Sequence, residues 1–300
     1  MELKGLHLLL TYQCTFECEH CFVWGSPWQT GTMTLGNIRE ILRQARQAGS
    51  IRSIYFEGGE PFLYYSVLHK AVELAVEMGF KVGIVSNAYW ATEPEDAVEW
   101  LKPFTGLLED LSVSSDLFHY SEKLSQQASN ASNAAESLSI PVGMITVAHP
   151  DSGSGEYAVG QLPIGESSVM YRGRAAEALI QHAQSQPWET FTECPFEDLR
   201  DPGRVHLDPF GNLHVCQGIS MGNLFETPLV EICQVYDPDT HPIVEPLLRG
   251  GPAELARRYR PPEQERYADA CHLCYQTRRE LRQQFPHILT PDQMYSVVQG

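Results

Sequence analysis

The sequence predicts an α/β fold: a partial (β/α)6 barrel over residues 1–185, a small α+β domain over 186–285 and a tail over 286–300. Three observations predict it. Strand-length apolar runs alternate with helix-period stripes through the first half, the pattern of a parallel sheet with right-handed crossovers. Six such runs occur, too few for a closed eight-strand barrel. Near residue 190 the alternation gives way to a hairpin signal and short, Pro-broken helices.

The elements follow in order. Leu6–Thr11 is an apolar run of strand length, and Thr34–Gln47 places Leu35, Ile38, Ile41, Leu42 and Ala45 on one helix face. Ile51–Phe56 is the second strand. Ser66–Met78 carries the stripe Val67, Leu68, Ala71, Val72 and Ala75, with Gly79 as its C-terminal stop. Phe80–Val85 is the third strand. Thr92 and Glu95 predict a capping box, with Pro94 in the first turn of a helix reaching Leu101. Leu107–Val113 and Ile140–Val147 are the fourth and fifth strands, with a polar helix over about Tyr120–Ser137 between them. Ser167–Tyr171 is the sixth strand and Ala175–Gln184 its helix. The connection Pro150–Glu166 carries no helical stripe, so the fifth helix is missing or the segment is a flap bearing Asp151 and Tyr157. Arg204–Leu207 and Asn212–Cys216 flank Asp208-Pro209-Phe210-Gly211, a hairpin signal. Pro228–Val235, pieces near Pro246–Leu248 and Ala253–Tyr259, and a last helix from Cys274 to about Gln284 complete the chain. The tail, with Met294 and Tyr295, is expected to fold back over the barrel.

Composition excludes several classes. A 300-residue chain with 43% hydrophobic residues can bury a sizeable core and is not mainly disordered. Lys+Arg number 21 against Asp+Glu 38, a formal charge of −17, which repels phosphate backbones and argues against a nucleic-acid partner. No stretch approaches the roughly 18 apolar residues of a membrane helix. The opening MELKGLHLLLTYQC lacks a secretory signal, so a cytoplasmic protein is expected. Eight cysteines in that compartment are not a disulfide framework. They fall into two groups, near the start and after residue 190, which predicts two thiolate sites.

Cys14, Cys18 and Cys21 have the spacing C-x3-C-x2-C where the first strand should end. Three thiolates on one loop can hold three irons of a cubane cluster and leave the fourth open. Structural zinc asks for four closed ligands. The second strand runs into Glu57-Gly58-Gly59-Glu60-Pro61. There two glycines allow close backbone approach to a ligand, and Glu60 offers an anionic acceptor. The third strand ends in Ser86-Asn87-Ala88 and the fourth in Ser112-Val113-Ser114-Ser115-Asp116. In a parallel α/β barrel such C-terminal ends converge on one face.

TYQCTFECEHCF, together with Gly58-Gly59-Glu60-Pro61, resembles the signature of the radical S-adenosylmethionine (radical SAM) superfamily. The resemblance covers roughly Leu6–Ala175 and implies a TIM-like partial barrel. It implies a 4Fe–4S cluster on Cys14, Cys18 and Cys21, whose open iron is chelated by SAM. It assigns Gly58, Gly59, Glu60 and Pro61 to the methionyl ammonium, Ser86 and Asn87 to the polar third-strand motif, and Ser114 and Asp116 to the ribose side. His20 and Phe22 beside the third cysteine, and Ile145, are further cofactor-binding positions, with packing the preferred role for His20. Gly143-Met144-Ile145-Thr146-Val147 departs from the family's glycine pattern on that strand. The implied chemistry is one-electron cleavage of SAM to methionine and a 5′-deoxyadenosyl radical, which abstracts hydrogen from a peptide or protein side chain or a small biosynthetic intermediate. A flavodoxin- or ferredoxin-type reductant would supply the electron. No leader-binding winged helix or cobalamin domain is evident, so a peptide substrate would need a separate recognition protein or direct capture. The competing readings are a non-catalytic iron–sulfur carrier or redox sensor and a zinc-binding interaction module. An electron carrier has no use for the Gly-Gly-Glu-Pro turn.

Cys194, Cys216, Cys271 and Cys274 form the second set. The hairpin followed by Gly222-Asn223-Leu224 resembles the start of a SPASM domain, and the cysteine count resembles its shortened twitch form with one auxiliary 4Fe–4S cluster. Zinc would satisfy the same four ligands. Gly173-Arg174-Ala175 resembles a segment often found ahead of such domains, in which Arg174 binds a carboxylate or caps a helix. Cys233 is left over. Its neighbours Val230, Ile232 and Val235 predict a core position rather than a thiol hydrogen donor. His119 is a loop residue that faces substrate or has no role. Arg278-Arg279-Glu280-Leu281-Arg282 reads as a solvated helix face.

Overall fold

Six strands pair in parallel in chain order: β1 Gly5–Thr11, β2 Ser53–Gly58, β3 Lys81–Ser86, β4 Asp110–Ser114, β5 Val142–Val147 and β6 Gly165–Ser167. The structure, a computed structural model, describes residues 1–121, 125–148, 150 and 165–297. Helices α1 Leu35–Ala48, α2 Tyr65–Glu77, α3 Pro94–Leu101 and α4 Gln126–Ser137 make the crossovers. Side chains alternate along a strand, so Leu6, Leu8 and Leu10 of β1 meet the stripe Ile38, Ile41 and Leu42 of α1 in the main core. The odd positions, His7 and Leu9, are left for the opposite, concave face. Thr34 and Asn37 close a capping box at the start of α1, and Gly49 ends it at φ +73°.

Apart from a two-stranded ribbon, the strands of the second region join the first region's sheet. After α5 Ala175–Ala178 and the short β7 Gln186–Pro187, β8 Arg204–Leu207 pairs in parallel with the free edge of β1, with Gly5 opposite Arg204 and His7 opposite His206. β9 Asn212–Cys216 and β10 Ile219–Asn223 extend it antiparallel. One nine-stranded sheet results, ordered β10-β9-β8-β1-β2-β3-β4-β5-β6. The boundary expected at residue 185/186 therefore separates two sequence regions that share one sheet. α6 Leu229–Val235, α7 Val244–Tyr259, β11 Arg266–Tyr267 and α8 Ala270–Leu281 follow, with β11 pairing to β7 and α7 broken at Gly250–Gly251.

Several boundaries differ from expectation, each for a local reason. The sixth strand is Gly165–Ser167, not Ser167–Tyr171, because the Tyr171 N–H is taken by Asp269 Oδ2 at 3.1 Å. No capping box forms at Thr92, because Glu93 is the cap of α3 and the Thr92 hydroxyl turns to Asp96. The polar helix starts at Gln126, where the Ser125 side chain accepts from Ala128 N. The last helix starts at Ala270, because Asp269 caps it by accepting from His272 N at 2.7 Å. Arg278 on that helix is fully buried, not solvated. The helix after β6 is a single turn followed by a 3-10 turn at Ile180–His182. The tail packs on the second region: Tyr295 stacks on Tyr275 and donates to Gly218 O at 2.7 Å. The expected flap, with Asp151 and Tyr157, lies outside the described residues. Among the described residues no helix is long and apolar enough to cross a membrane.

Leu207 of β8 is fully buried in the main core. Leu207→Ala should cost about 2–5 kcal/mol, read as a lowered midpoint in urea unfolding.

Candidate functional site

The C-terminal ends of β1–β5 open into one cavity of about 250 Å³, lined by Cys14, Cys18 and Cys21, by Gly58 and Gly59, by Ser86 and Asn87, and by Ser114 and Ile145. His20, Phe22 and His119 also face it. Sequence-predicted residues from five strand ends thus meet at one place.

The cysteine loop is held by backbone. Gly59 N donates to Thr11 O at 2.7 Å, and Glu60 N to Gln13 O at 2.8 Å. A Cβ on Gly59 would lie 1.9 Å from Gln13 O, so this glycine is required for the turn after β2 to press against the loop. Donors aim at the sulfurs: Phe16 N and Asn87 Nδ2 stand 3.5 Å from Cys14 Sγ, and Gly25 N stands 3.2 Å from Cys21 Sγ. Burial pushes the Cys14 thiol up to about 12 and raises Cys18 as well.

The Arg174 side chain does not cap its helix, and among the described residues it is bonded to carbonyls rather than to a carboxylate. Its fork donates to Cys18 O at 2.7 Å and Gly25 O at 2.8 Å, and its own N–H to Cys21 O at 2.9 Å. Gly173, at φ +58°, lets this segment approach: a Cβ there would lie 2.5 Å from Cys21 O. The Arg174 guanidinium covers Trp24 at 5.3 Å, and Trp24 Nε1 donates to Tyr275 OH on α8 at 2.9 Å. Trp24 is held in the left-handed region at φ +58°, a conformation a bulky residue keeps only under constraint.

Three predicted cofactor contacts do not line the cavity. Glu60 is fully buried and accepts from Phe62 N, Ser86 Oγ and Asn87 N at 2.8–3.0 Å. Burial pushes its carboxyl up to about 7 against the pull of these donors. It ties the ends of β2 and β3 together, and Pro61 is buried beside it. Asp116 accepts from Phe118 N, His119 Nδ1 and Val147 N, linking the β4 end to β5. Burial would raise Asp116, but His119 and His20 hold it below its ordinary value. His20 stacks on Phe118 at 4.5 Å, and burial lowers it to about 4.

Cys194, Cys216, Cys271 and Cys274 line a second, smaller cavity. Cys216 ends β9, and Cys271 and Cys274 sit three apart on one face of α8. Two buried arginines flank them. Arg172 bonds Glu197 at 2.9 Å and approaches Cys216 Sγ at 3.9 Å; Arg278 donates to Gln217 O at 2.6 Å. Burial pushes Cys194 up to about 12 and Cys216 to about 11. Among the described residues neither cysteine set brings three sulfurs within 4.8 Å of one another. Cys233 joins neither set. It is half-buried beside Met1, whose amino group donates to Cys233 O at 3.2 Å, and its expected core neighbour Val235 is 66% exposed. It lies on α6 and packs, partly buried, against the main core, as its neighbour Ile232 does more deeply.

The sequence reading missed Arg172, Arg278 and the polar group His7, Glu57 and His206. Alternation could have found the last: His7 and His206 interrupt otherwise apolar strands.

Residues 8–127 match a family described as the Radical SAM superfamily. That segment is similar to a radical SAM domain. The chain is 28% identical over 117 residues to YydG of Bacillus subtilis (strain 168), named a peptide biosynthesis protein, covering 39% of this chain and 37% of that one. It is 26% identical over 118 residues to an S-adenosylmethionine-dependent nucleotide dehydratase of Fibrobacter sp. (strain UWH6), covering 37% of this chain and 33% of that one. The match spans about a third of these relatives' length. Among solved structures, BtrN in complex with AdoMet and 2-DOIA is similar with a TM-score of 0.51 at 15% identity, over 77% of this chain and 82% of that one, a likeness of fold. Members of the radical SAM superfamily are enzymes, and the family implies a 4Fe–4S cluster and SAM.

Arg174→Ala removes two donors from loop carbonyls. Amide hydrogen exchange over residues 14–25 should accelerate, and stability should fall by about 1–3 kcal/mol.

Proposed function

We propose that this chain is a radical SAM enzyme whose cluster is held by Cys14, Cys18 and Cys21 and whose SAM occupies the adjoining cavity. The observation that carries this reading is the convergence of three thiols and five strand ends on one 250 Å³ cavity. The site fits the group. Phe16 N, Asn87 Nδ2 and Gly25 N stand within 3.5 Å of Cys14 and Cys21 Sγ, donors of the kind that cluster-bearing thiolates accept. When bound, the cluster supplies the electron that cleaves SAM, and the resulting 5′-deoxyadenosyl radical takes hydrogen from a substrate. The chain's own part is positioning and exclusion of water. Arg174 fixes the loop carbonyls. Gly58 and Gly59 bring the β2 turn against the loop, and Ser86, Asn87 and Ser114 offer polar contacts to a ligand. Glu60 and Asp116 act from behind, by fixing the strand ends that carry these groups.

Cys194, Cys216, Cys271 and Cys274 are proposed to hold an auxiliary 4Fe–4S cluster, in a twitch-like second region over 186–285. Arg172 and Arg278 offset the negative charge of four thiolates. The substrate class is a peptide or a small biosynthetic intermediate, with the name of the Bacillus relative supporting the peptide. A flavodoxin- or ferredoxin-type protein would supply the electron, and the expected setting is the cytoplasm.

Anaerobic reconstitution should give about eight irons per chain, and the Cys14→Ala, Cys18→Ala, Cys21→Ala triple variant about four. Zinc in place of half the iron would refute the auxiliary cluster while leaving the first. With dithionite and SAM the native chain should release 5′-deoxyadenosine slowly, and Cys18→Ala should release none. Persistent release by that variant would refute the assignment of the loop.

A further inference from the structure

On the concave face of the sheet, side chains from three neighbouring strands meet: His7 of β1, Glu57 of β2 and His206 of β8. His7 Nδ1, a Glu57 carboxylate oxygen and His206 Nε2 all lie within 4.8 Å of one another. His7 Nδ1 stands 3.3 Å from Glu57 Oε2. His206 Nε2 stands 2.8 Å from Glu57 Oε1. A nitrogen and an oxygen this close are spaced as two cis ligands of one ion would be. Ligands bound at about 2.1 Å and at right angles stand about 3.0 Å apart, each aimed at the shared centre.

The surroundings agree. Tyr55 stacks on His7 at 4.8 Å and fixes its ring. Glu57 lies between the two rings, with Oε2 toward His7 and Oε1 toward His206. Glu57 and His206 face the cavity, so coordination positions remain open on that side.

We propose that His7, Glu57 and His206 bind a divalent first-row cation on the cavity floor, separate from both thiolate sets. Two imidazoles and one carboxylate suit Mn²⁺, Fe²⁺, Co²⁺ or Zn²⁺. The open positions suit an oxygen-bearing group of the molecule in the cavity. Arg204 is the competitor. It donates to His7 Nε2 at 3.1 Å, whereas an imidazole ligating through Nδ1 carries its proton on Nε2 and cannot accept there. Binding the cation therefore displaces Arg204 from His7.

The test uses Mn²⁺ alone, a poor partner for thiolates, titrated into the purified full chain and followed by EPR. One bound Mn²⁺ per chain is expected. Glu57→Gln and, independently, His206→Asn should each weaken it at least about tenfold, with circular dichroism melts showing that the variants fold. The Cys14→Ser, Cys18→Ser, Cys21→Ser triple variant should bind Mn²⁺ as the native chain does, so the outcome is independent of the cluster reading. Arg204→Gln should bind more tightly, since a charge and a competing donor are removed. No one-to-one site in the folded native chain would overturn the proposal, as would undiminished binding by folded Glu57→Gln or weaker binding by Arg204→Gln. The three residues would then be a hydrogen-bonded ionic group only.

Discussion

β1 is hydrogen-bonded on both edges, to β2 and to β8, both in parallel. Everything of chemical interest hangs on that double pairing. The even positions of β1 build the core with α1. Its odd positions face the concave side, where His7 meets Glu57 and His206. Its C-terminal end delivers the cysteine loop. Because β8 uses the second edge, the hairpin that ends in Cys216 is anchored to the same strand that presents Cys14. The two thiolate sets are thereby held in one continuous sheet.

The cysteine loop is fixed by close backbone approach rather than by a core of its own. Gly59 and Gly173 are the two contact points, one from the β2 turn and one from the segment after β6. Each sits where a Cβ would collide with a loop carbonyl. Arg174 then donates from its side chain to Cys18 O and Gly25 O and from its backbone to Cys21 O. Trp24 carries the tie onward to Tyr275 on α8, the helix of Cys271 and Cys274. The loop's position and the second set's position are thus linked through a short chain of hydrogen bonds and stacked groups.

Buried charge is distributed with the same economy. Glu60 and Asp116 lie just past the ends of β2 and β4 and spend their oxygens on backbone and side-chain donors, so they organise the cavity rim instead of lining it. Glu57 differs. One of its oxygens lies toward His7 and the other toward His206. Arg172 and Arg278 lie beside the second cysteine set, and Arg172 borders both cavities. In an otherwise apolar interior these groups are expensive to bury, which is why each has a defined partner or faces a site.

Much of this was legible in the residues themselves. Hydrophobic period and turn chemistry are local, so the first five strands, α1, α2 and the hairpin at Asp208–Gly211 followed from the sequence within a few residues. The cysteine spacing and the polar strand ends marked the first site, because strand ends in a parallel sheet share a face by rule. Local signals failed where a distant partner decided the outcome. Asp269 takes the Tyr171 N–H and shortens the sixth strand, and the same residue starts α8 earlier; Gln217 O and Tyr295 OH draw Arg278 inward. Glu60 reads as a ligand in sequence, and tertiary packing makes it a strut between two strands. That β8 pairs with β1 is likewise invisible in sequence, since edge hydrogen bonds carry no residue code. The sequence alone determined which residues could do chemistry; only the tertiary structure decided which of them face the same space, because that depends on which edges pair and which carboxylates are already satisfied.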